Sequence, residues 1–223
     1  MSRRYDRRRN APLLDRLEAI ARLKDVSRTG WVLRGVREPE SVADHSWGTA
    51  QLCLMLSPPE LDRARTVMIA LVHDLAEVEV GDIPRRVAAS AQPVSEDEKE
   101  LRELDAIRRL TRVVGTETRT DNLGESFREL QDLWEEYSRG DTAEARFVRD
   151  MNLVDMCLQA VIYQRDGRYD PETGREHFPD YEYLDEFFAT SCDRFTTATG
   201  RELYAALRLR YEALRDERNN VSE

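Results

Sequence analysis

Apolar residues recur at helical spacing along most of the chain. In the segment LLDRLEAIARLKD, which begins at Leu13, leucine and isoleucine repeat every three or four positions while charged residues fill the opposite face. Such a repeat is typical of an amphipathic helix that packs on one side. Further segments of the same kind follow, and none alternates apolar and polar residues as a half-buried strand would. The pattern therefore predicts an all-α fold.

Helix boundaries can be predicted from the residues that flank two of these segments. Ser41 precedes an apolar run and is followed three residues later by Asp44, a combination close to a capping box. The next helix is expected to run from the proline pair Pro58 and Pro59 to Gly81, because proline favours the first turn of a helix and glycine its end.

One long polar stretch, residues 165–181, interrupts the helical pattern. We expect residues 1–12 to form a flexible basic tail, residues 13–164 the main helical domain, and residues 165–223 C-terminal helices packed on the same domain. A chain of 223 residues is long enough for one domain with a sizeable core.

Composition narrows the classes of function. Hydrophobic residues make up 40% and charged residues 35%, and the formal net charge of −10 argues against a nucleic-acid partner. No apolar run is long enough to span a bilayer, and no apolar segment follows the arginine-rich start as in a signal peptide. We expect a cytoplasmic protein without a membrane partner, in which Cys53, Cys157 and Cys192 are reduced and lie in or near the core.

The segment ALVHDLAEVEVGDIP, residues 70–84, places charges where burial is expected. It continues an apolar run and then presents His73, Asp74, Glu77 and Asp82 within ten positions. Burying an ionised carboxylate without a partner is costly, so a compensating cation is expected. That cation is either a bound metal ion or a hidden arginine or lysine.

Histidine and carboxylate side chains together suit a divalent transition metal. The chain has only three histidines; His45 follows an aspartate and His73 precedes one, and Glu77 lies one helical turn after His73. A hydrogen-bonded core histidine and an ordinary surface glutamate would account for these residues singly. Because all of them occur together, a metal site is as well supported by the sequence as a purely structural role for these residues.

A further ligand is expected from the helix AEARFVRDMNLVDMCLQA, residues 143–160. Asn152 and Asp155 interrupt its apolar face, and either offers an oxygen. Asp150 points away from that face, so we expect it to be solvated.

Three segments together resemble the HD-domain metal-dependent phosphohydrolases, and more narrowly their 5′-deoxynucleotidase-like branch. They are RTGWVLRGVREPESVADHS, ALVHDLAEVEVGDIP and AEARFVRDMNLVDMCLQA. The middle one matches the branch pattern of His-Asp, an acid three residues later, then Gly-Asp. The resemblance covers about Leu13 to Gln164. It implies a compact multi-helix HD-domain bundle with a C-terminal helical extension, a homodimer, and one divalent ion (Mn, Co, Fe, Ni or Zn). The implied reaction is hydrolysis of the 5′-phosphate of deoxyribonucleoside monophosphates.

The resemblance also implies roles for single residues. His45, His73 and Asp74 match the first three metal ligands. Asn152 stands at the position of the fourth, where the family has an aspartate, and Asp155 is a possible substitute on the same face.

Catalytic and substrate roles follow in the same way. Glu77 resembles the acid that orients or deprotonates the attacking water, and Asp82 the second catalytic acid. Trp31 matches an aromatic residue that packs on the sugar and disfavours a 2′-hydroxyl, and Arg34 is a candidate substrate contact.

One departure lies next to Trp31. Bacterial nucleotidases of this branch tend to carry an arginine immediately before the tryptophan; here that residue is Gly30, and Arg28 is nearby. A larger or cyclic nucleotide substrate (guanosine polyphosphate, dNTP or cyclic nucleotide) and a catalytically weakened nucleotide sensor remain alternatives.

Overall fold

The computed structural model describes residues 7–87, 92–112 and 123–222. Within these ranges the chain is helical and contains no β-strand, only a single antiparallel bridge between Ser27 and Ser41. The all-α prediction is confirmed. None of the helices in these ranges is long and apolar enough to cross a membrane. The helices are α1 (Arg7–Ala21), α2 (Thr29–Leu33), α3 (Val42–Leu56), α4 (Arg63–Val72), α5 (Glu77–Val80), α6 (Glu96–Thr111), α7 (Leu123–Arg139), α8 (Ala143–Arg165), α9 (Asp185–Ala189) and α10 (Ala198–Ser222).

Helix α8 is the centre of the molecule. It packs against α3, α4, α7 and α10, and apolar residues are buried all around it, as expected for a helix enclosed by others. Met151 and Val154 join a core shared with α3 and α4, while Cys157 and Val161 join one shared with the C-terminal segments. The polar residues of α8 are therefore enclosed by several neighbouring elements.

The helix expected between Pro58 and Gly81 is divided into α4 and α5, so that prediction is wrong in its details. Asp62 caps α4, and its side chain accepts a hydrogen bond from the Arg65 N–H at 3.1 Å. Between the two helices, the N–H groups of Leu75 and Glu77 donate to carbonyls three residues back, which forms a tighter turn than an α-helix. His73 and Asp74 lie in this turn.

Two boundary predictions are confirmed. The Ser41 side chain accepts from the Asp44 N–H at 3.1 Å, and the Asp44 carboxylate accepts from the Ser41 N–H at 2.9 Å, completing a capping box. Gly81 has a φ of 76° and donates its N–H to the Glu77 carbonyl at 2.8 Å, ending α5. A positive φ of this kind suits glycine.

The two ends of the chain differ in part from expectation. Helix α1 begins at Arg7, inside the expected tail 1–12, and residues 1–6 lie outside the described residues. In the C-terminal region α9 is only one turn long, whereas α10 is long and packs along α8. The Tyr211 hydroxyl on α10 accepts a hydrogen bond from the Leu184 N–H at 2.7 Å and ties the preceding segment to this helix.

Asp150 is fully buried, so its expected solvation is wrong. Its carboxylate accepts backbone hydrogen bonds from Thr196 at 3.0 Å and Thr197 at 2.7 Å, and also the Thr197 hydroxyl at 2.6 Å. The start of α10 covers the polar side of α8, and Gly200 leaves room for the carboxylate because a Cβ there would collide with it.

The cysteines agree with expectation at two of three positions. Cys53 and Cys157 are buried, and burial raises the pKa of each thiol to about 12. Cys192 is exposed instead of near the core, because it follows the short helix α9 where a longer packed helix was expected.

Asp150→Asn is expected to lower the free energy of unfolding by about 3 kcal/mol, because several partly buried donors lose a charged acceptor whose own side chain is fully buried. Urea denaturation monitored by circular dichroism measures this. Asp132→Asn, at an exposed position on α7, is the control and should stay within about 0.5 kcal/mol of the wild type. Equal denaturation midpoints for the two variants would contradict the assigned role of Asp150.

Candidate metal centre and active site

A cavity of about 600 Å³ brings together residues from widely separated parts of the chain. Its walls come from the loop before α3, from the α4–α5 turn, from α6, α7 and α8, and from the segment around α9. His45 is buried beside it. The residues singled out in the sequence that line the cavity are Trp31, His73, Asp74, Glu77, Asp82 and Asn152.

Three possible metal ligands converge at one point beside this cavity. The ligand atoms of His45, His73 and Asp74 all lie within 4.8 Å of one another. Asp74 Oδ2 is 3.1 Å from His73 Nε2 and 3.7 Å from His45 Nε2. His45 sits in the first turn of α3, and the other two lie where α4 ends, so the packing of α3 on α4 forms the cluster.

The outer nitrogen of each histidine ring is engaged elsewhere. His45 Nδ1 lies 2.7 Å from Asp155 Oδ2, and His73 Nδ1 lies 2.7 Å from the Ala70 carbonyl oxygen. With Nδ1 as the donor, each Nε2 presents a lone pair toward Asp74. Both Nε2 atoms are buried, and neither makes a well-directed hydrogen bond within the described residues. Two unsatisfied imidazole nitrogens beside a carboxylate fit a divalent transition metal.

Asp155 occupies a position behind His45. Its carboxylate can approach the ring because Gly48 on α3 has no side chain, and a Cβ there would overlap Asp155. Asp155 therefore contacts the nitrogen of His45 that faces away from Asp74. A carboxylate at this place orients a ligating histidine and fixes its tautomer.

Asn152 faces the cavity from α8. Its Nδ2 donates to the Tyr137 hydroxyl at 2.7 Å, which leaves the amide oxygen as the atom able to bind a cation. The Tyr137 ring packs edge-on against His73, with 5.0 Å between ring centroids. Burial and the charge of Asp74 raise the pKa of Tyr137 to about 12. Tyr137 was not singled out in the sequence, because there it is one aromatic residue in an amphipathic stripe.

Glu77 is buried, and its Oε2 makes no hydrogen bond within the described residues. Its other oxygen lies 3.6 Å from Lys99 Nζ. Burial, and then the charges of Asp74 and Asp82, raise the pKa of Glu77 well above its usual range. This carboxyl group can therefore hold a proton under conditions in which a surface glutamate would have lost it.

Arg28 and Lys99 are partly buried cations of the kind expected from the sequence as the alternative to a metal ion. The Arg28 guanidinium donates to Asp74 at 3.3 Å and lies 3.7 Å from Asp82. The Asp82 carboxylate also accepts the Thr29 backbone N–H. The two cations and the candidate metal ligands therefore occur at the same cavity. Both can be accommodated because the cavity holds more than one buried acid.

Trp31 forms an apolar wall of the cavity and is only 1% exposed. Its indole N–H donates to Glu40 at 2.8 Å, and its ring stacks on Phe187 with 3.9 Å between centroids and 27° between planes. The Phe187 ring lies close to Gly30, where a Cβ would be 3.0 Å from it. The aromatic ring therefore fills the space beside position 30.

Arg34 is not placed at this cavity. Its guanidinium is fully buried without a hydrogen bond in the described part of the chain, and it faces the rings of Tyr169 at 5.9 Å and Phe178 at 5.2 Å. Arg34 follows the last residue of α2, where the chain turns toward residues 168–178. The substrate contact expected there is not supported by this arrangement, since the cavity presents Trp31 but not Arg34.

Several proteins similar to this chain are named 5′-deoxynucleotidases. Human 5′-deoxynucleotidase HDDC2 is 38% identical over 176 residues, covering 75% of this chain and 80% of that protein. The 5′-deoxynucleotidase hdd1 of Schizosaccharomyces pombe is 35% identical over 149 residues, covering 67% and 71%.

Solved structures and a family model agree on the fold. A conserved hypothetical protein from Pyrococcus furiosus superposes with a TM-score of 0.61 at 29% identity, covering 87% of this chain and 98% of that one. A predicted metal-dependent phosphohydrolase from Magnetospirillum magnetotacticum, at 21% identity, has a TM-score of 0.62 over 92% of this chain and 95% of that one and shows the fold alone. The model of the HD domain matches residues 20–183. Given this match and the relatives that share most of its length, the chain belongs to the HD-domain family.

Proposed function

We propose that this protein is a metal-dependent phosphohydrolase that converts deoxyribonucleoside monophosphates and water into deoxynucleosides and phosphate. The observation that carries the proposal is the pair of unsatisfied histidine nitrogens beside Asp74, next to a cavity lined by Glu77 and Trp31. The similarity to proteins named 5′-deoxynucleotidase supports the substrate class.

His45, His73 and Asp74 would hold one divalent ion, with the Asn152 amide oxygen as the fourth ligand. When bound, such an ion offsets the negative charge of the phosphate and makes a water more acidic. Asp155 acts through His45 by keeping its ring in the ligating orientation. Because an amide is neutral, Asn152 is expected to bind the ion more weakly than an aspartate would.

Glu77 is assigned the role of accepting the proton of the attacking water. As the water oxygen forms its bond to phosphorus, Glu77 accepts the proton; as the bond from phosphorus to the 5′-oxygen breaks, it returns the proton to that oxygen. A raised pKa suits a carboxyl group that must both take and give a proton near neutral pH.

Asp82 is assigned a positioning role. The family resemblance suggests a second catalytic acid at this position, but the Asp82 carboxylate accepts the Thr29 N–H and lies beside Arg28. These contacts hold the loop that carries Trp31.

Trp31 and Phe187 are assigned the sugar-facing wall. Because the indole N–H already donates to Glu40, the stacked pair offers no hydrogen-bonding group to the cavity, so a 2′-hydroxyl pressed against it would lose its water without gaining a partner. This supports a preference for deoxyribose over ribose. We further propose that residues 13–223 form one catalytic unit, since α10 packs along α8 and the α9 region lines the cavity.

A homodimer is proposed through the outer face of α3 and α4. Large apolar side chains remain exposed there, including Trp47 at 64%, Met55 at 66% and Leu71 at 51%. Apolar residues grouped on packed neighbouring helices are typical of a protein–protein contact.

Glu77→Gln is expected to reduce the turnover number about 100-fold or more, because proton transfer is lost while the cavity keeps its shape. Phosphate release from a panel of dNMPs and NMPs, with each divalent metal added to stripped protein, measures this. Glu79→Gln, at an exposed position in the same short helix, should retain activity. Absence of hydrolysis by the wild type with any metal would reject the proposed function and leave a larger nucleotide or a sensor role.

Metal affinity is expected to change in opposite directions at two positions of α8. Asn152→Asp should tighten binding because a charged ligand replaces an amide, and Asp155→Asn should weaken it about 10-fold to 100-fold because His45 loses its orienting carboxylate. Competition with a chromophoric chelator reports both without any turnover. Unchanged affinity in both variants would refute the assigned ligand set.

Introducing a charge on the proposed dimer face is expected to produce a monomer. Met55→Glu should do so, whereas Leu101→Glu, at a position 67% exposed on α6, should not. Sedimentation velocity distinguishes the two states. A wild type that already sediments as a monomer would reject the dimer.

A further inference from the structure

Six arginine and lysine side chains line the cavity and form its basic rim. Five of them already have a hydrogen-bond or ion-pair partner. Arg28 contacts Asp74, and Lys99 lies 3.4 Å from Glu103. The remaining partners are Glu96 for Arg85, the Asp141 carbonyl for Arg146 and the Tyr137 carbonyl for Arg149. The sixth side chain, that of Arg194, makes no hydrogen bond or ion pair within the described part of the chain. The rim therefore contains one guanidinium with free donors.

Arg194 lies among other positive charges. Its side chain is reached by solvent, yet partial removal from water and the charge of Arg85 lower its pKa, and Arg149 acts in the same direction. Glu96 acts in the opposite direction, but it already pairs with Arg85. A guanidinium held beside two cations without an acid of its own is stabilised by an incoming anion.

Arg194 and Tyr137 line the same cavity. Tyr137 also holds Asn152 and packs on His73. Arg194 therefore shares this cavity with the candidate ligands His73, Asp74 and Asn152.

The backbone around Arg194 is held firmly. Phe195 is buried in the core shared by α3, α4 and α8, and the next two residues donate to the buried Asp150 carboxylate. Thr190 and Thr196 line the cavity on either side. The HD-domain match ends at residue 183, so this wall comes from a segment beyond it.

We propose that Arg194 binds the phosphate group of the substrate. The inference rests on the proposed function and deepens it, since it assigns substrate binding to a residue outside the HD-domain match. A guanidinium presents paired N–H donors that match two phosphate oxygens, which an ammonium group cannot do. Arg85 lies near enough to add to the local positive charge.

The test uses metal-loaded full-length protein and two probes, inorganic phosphate and deoxyadenosine, titrated by calorimetry. Arg194→Gln should weaken phosphate binding about tenfold or more and leave deoxyadenosine binding unchanged. Arg210→Gln, which removes the same charge from an exposed position on α10, should change neither. Arg194→Lys should recover part of the phosphate affinity. Unchanged phosphate binding in Arg194→Gln would overturn the proposal, as would equal weakening of both probes.

Steady-state kinetics separates this inference from the proposed function. With a dNMP substrate, Arg194→Gln should raise KM more than it lowers kcat, as expected for a contact made before the chemical step. If the wild type hydrolyses dNMPs while phosphate binding is independent of Arg194, only the inference fails. If the wild type hydrolyses none of them but binds phosphate through Arg194, the function fails and the inference holds for another phosphate ester.

Discussion

The burial of several carboxylates in one cavity is the constraint on which the rest of the site depends. Asp74, Glu77 and Asp82 approach one another where little water can screen their charges, so each needs a counter-charge held at short range. Arg28 arrives from the loop before α3 and Lys99 from α6, two segments far apart in the chain. The unsatisfied Nε2 atoms of His45 and His73 could bind a third cation, which would add to the counter-charge of these carboxylates. The helices α3, α4 and α6 pack around this point, so they bring opposite charges together as well as bury apolar side chains.

The sequence was most informative where a residue type contradicted its surroundings. Histidine and aspartate at the end of an apolar run indicated a buried polar site, and His73 and Asp74 are indeed brought to His45. Helical spacing also placed Asn152 on the side of α8 that lines the cavity. The same reasoning failed for Asp150, because a helical projection shows which face is apolar and not whether a second helix covers the polar one.

Residues whose types are ordinary for their position could not be found in this way. Lys99 lies in a helix where most residues are charged, and Tyr137 lies in a regular amphipathic stripe, so nothing local distinguishes them. Arg34 shows the converse, since closeness to Trp31 in sequence did not place it in the same cavity. The turn of tighter hydrogen bonds between α4 and α5 was equally invisible, because it is formed by backbone geometry and not by a characteristic residue.

The stacking of Phe187 on Trp31 and beside Gly30 has an evolutionary consequence. The candidate ligands and Trp31 lie within the HD-domain match, whereas Phe187 and Arg194, which line the same cavity, lie beyond residue 183. Part of the substrate-facing wall is therefore carried by a stretch of chain separate from the candidate ligands, and this part can diverge while the ligands are preserved. Because the Phe187 ring occupies the space a side chain at position 30 would need, these two positions should vary together among relatives. A larger residue at 30 would accompany a smaller one at 187, and the cavity would acquire a different shape without any change in its metal ligands.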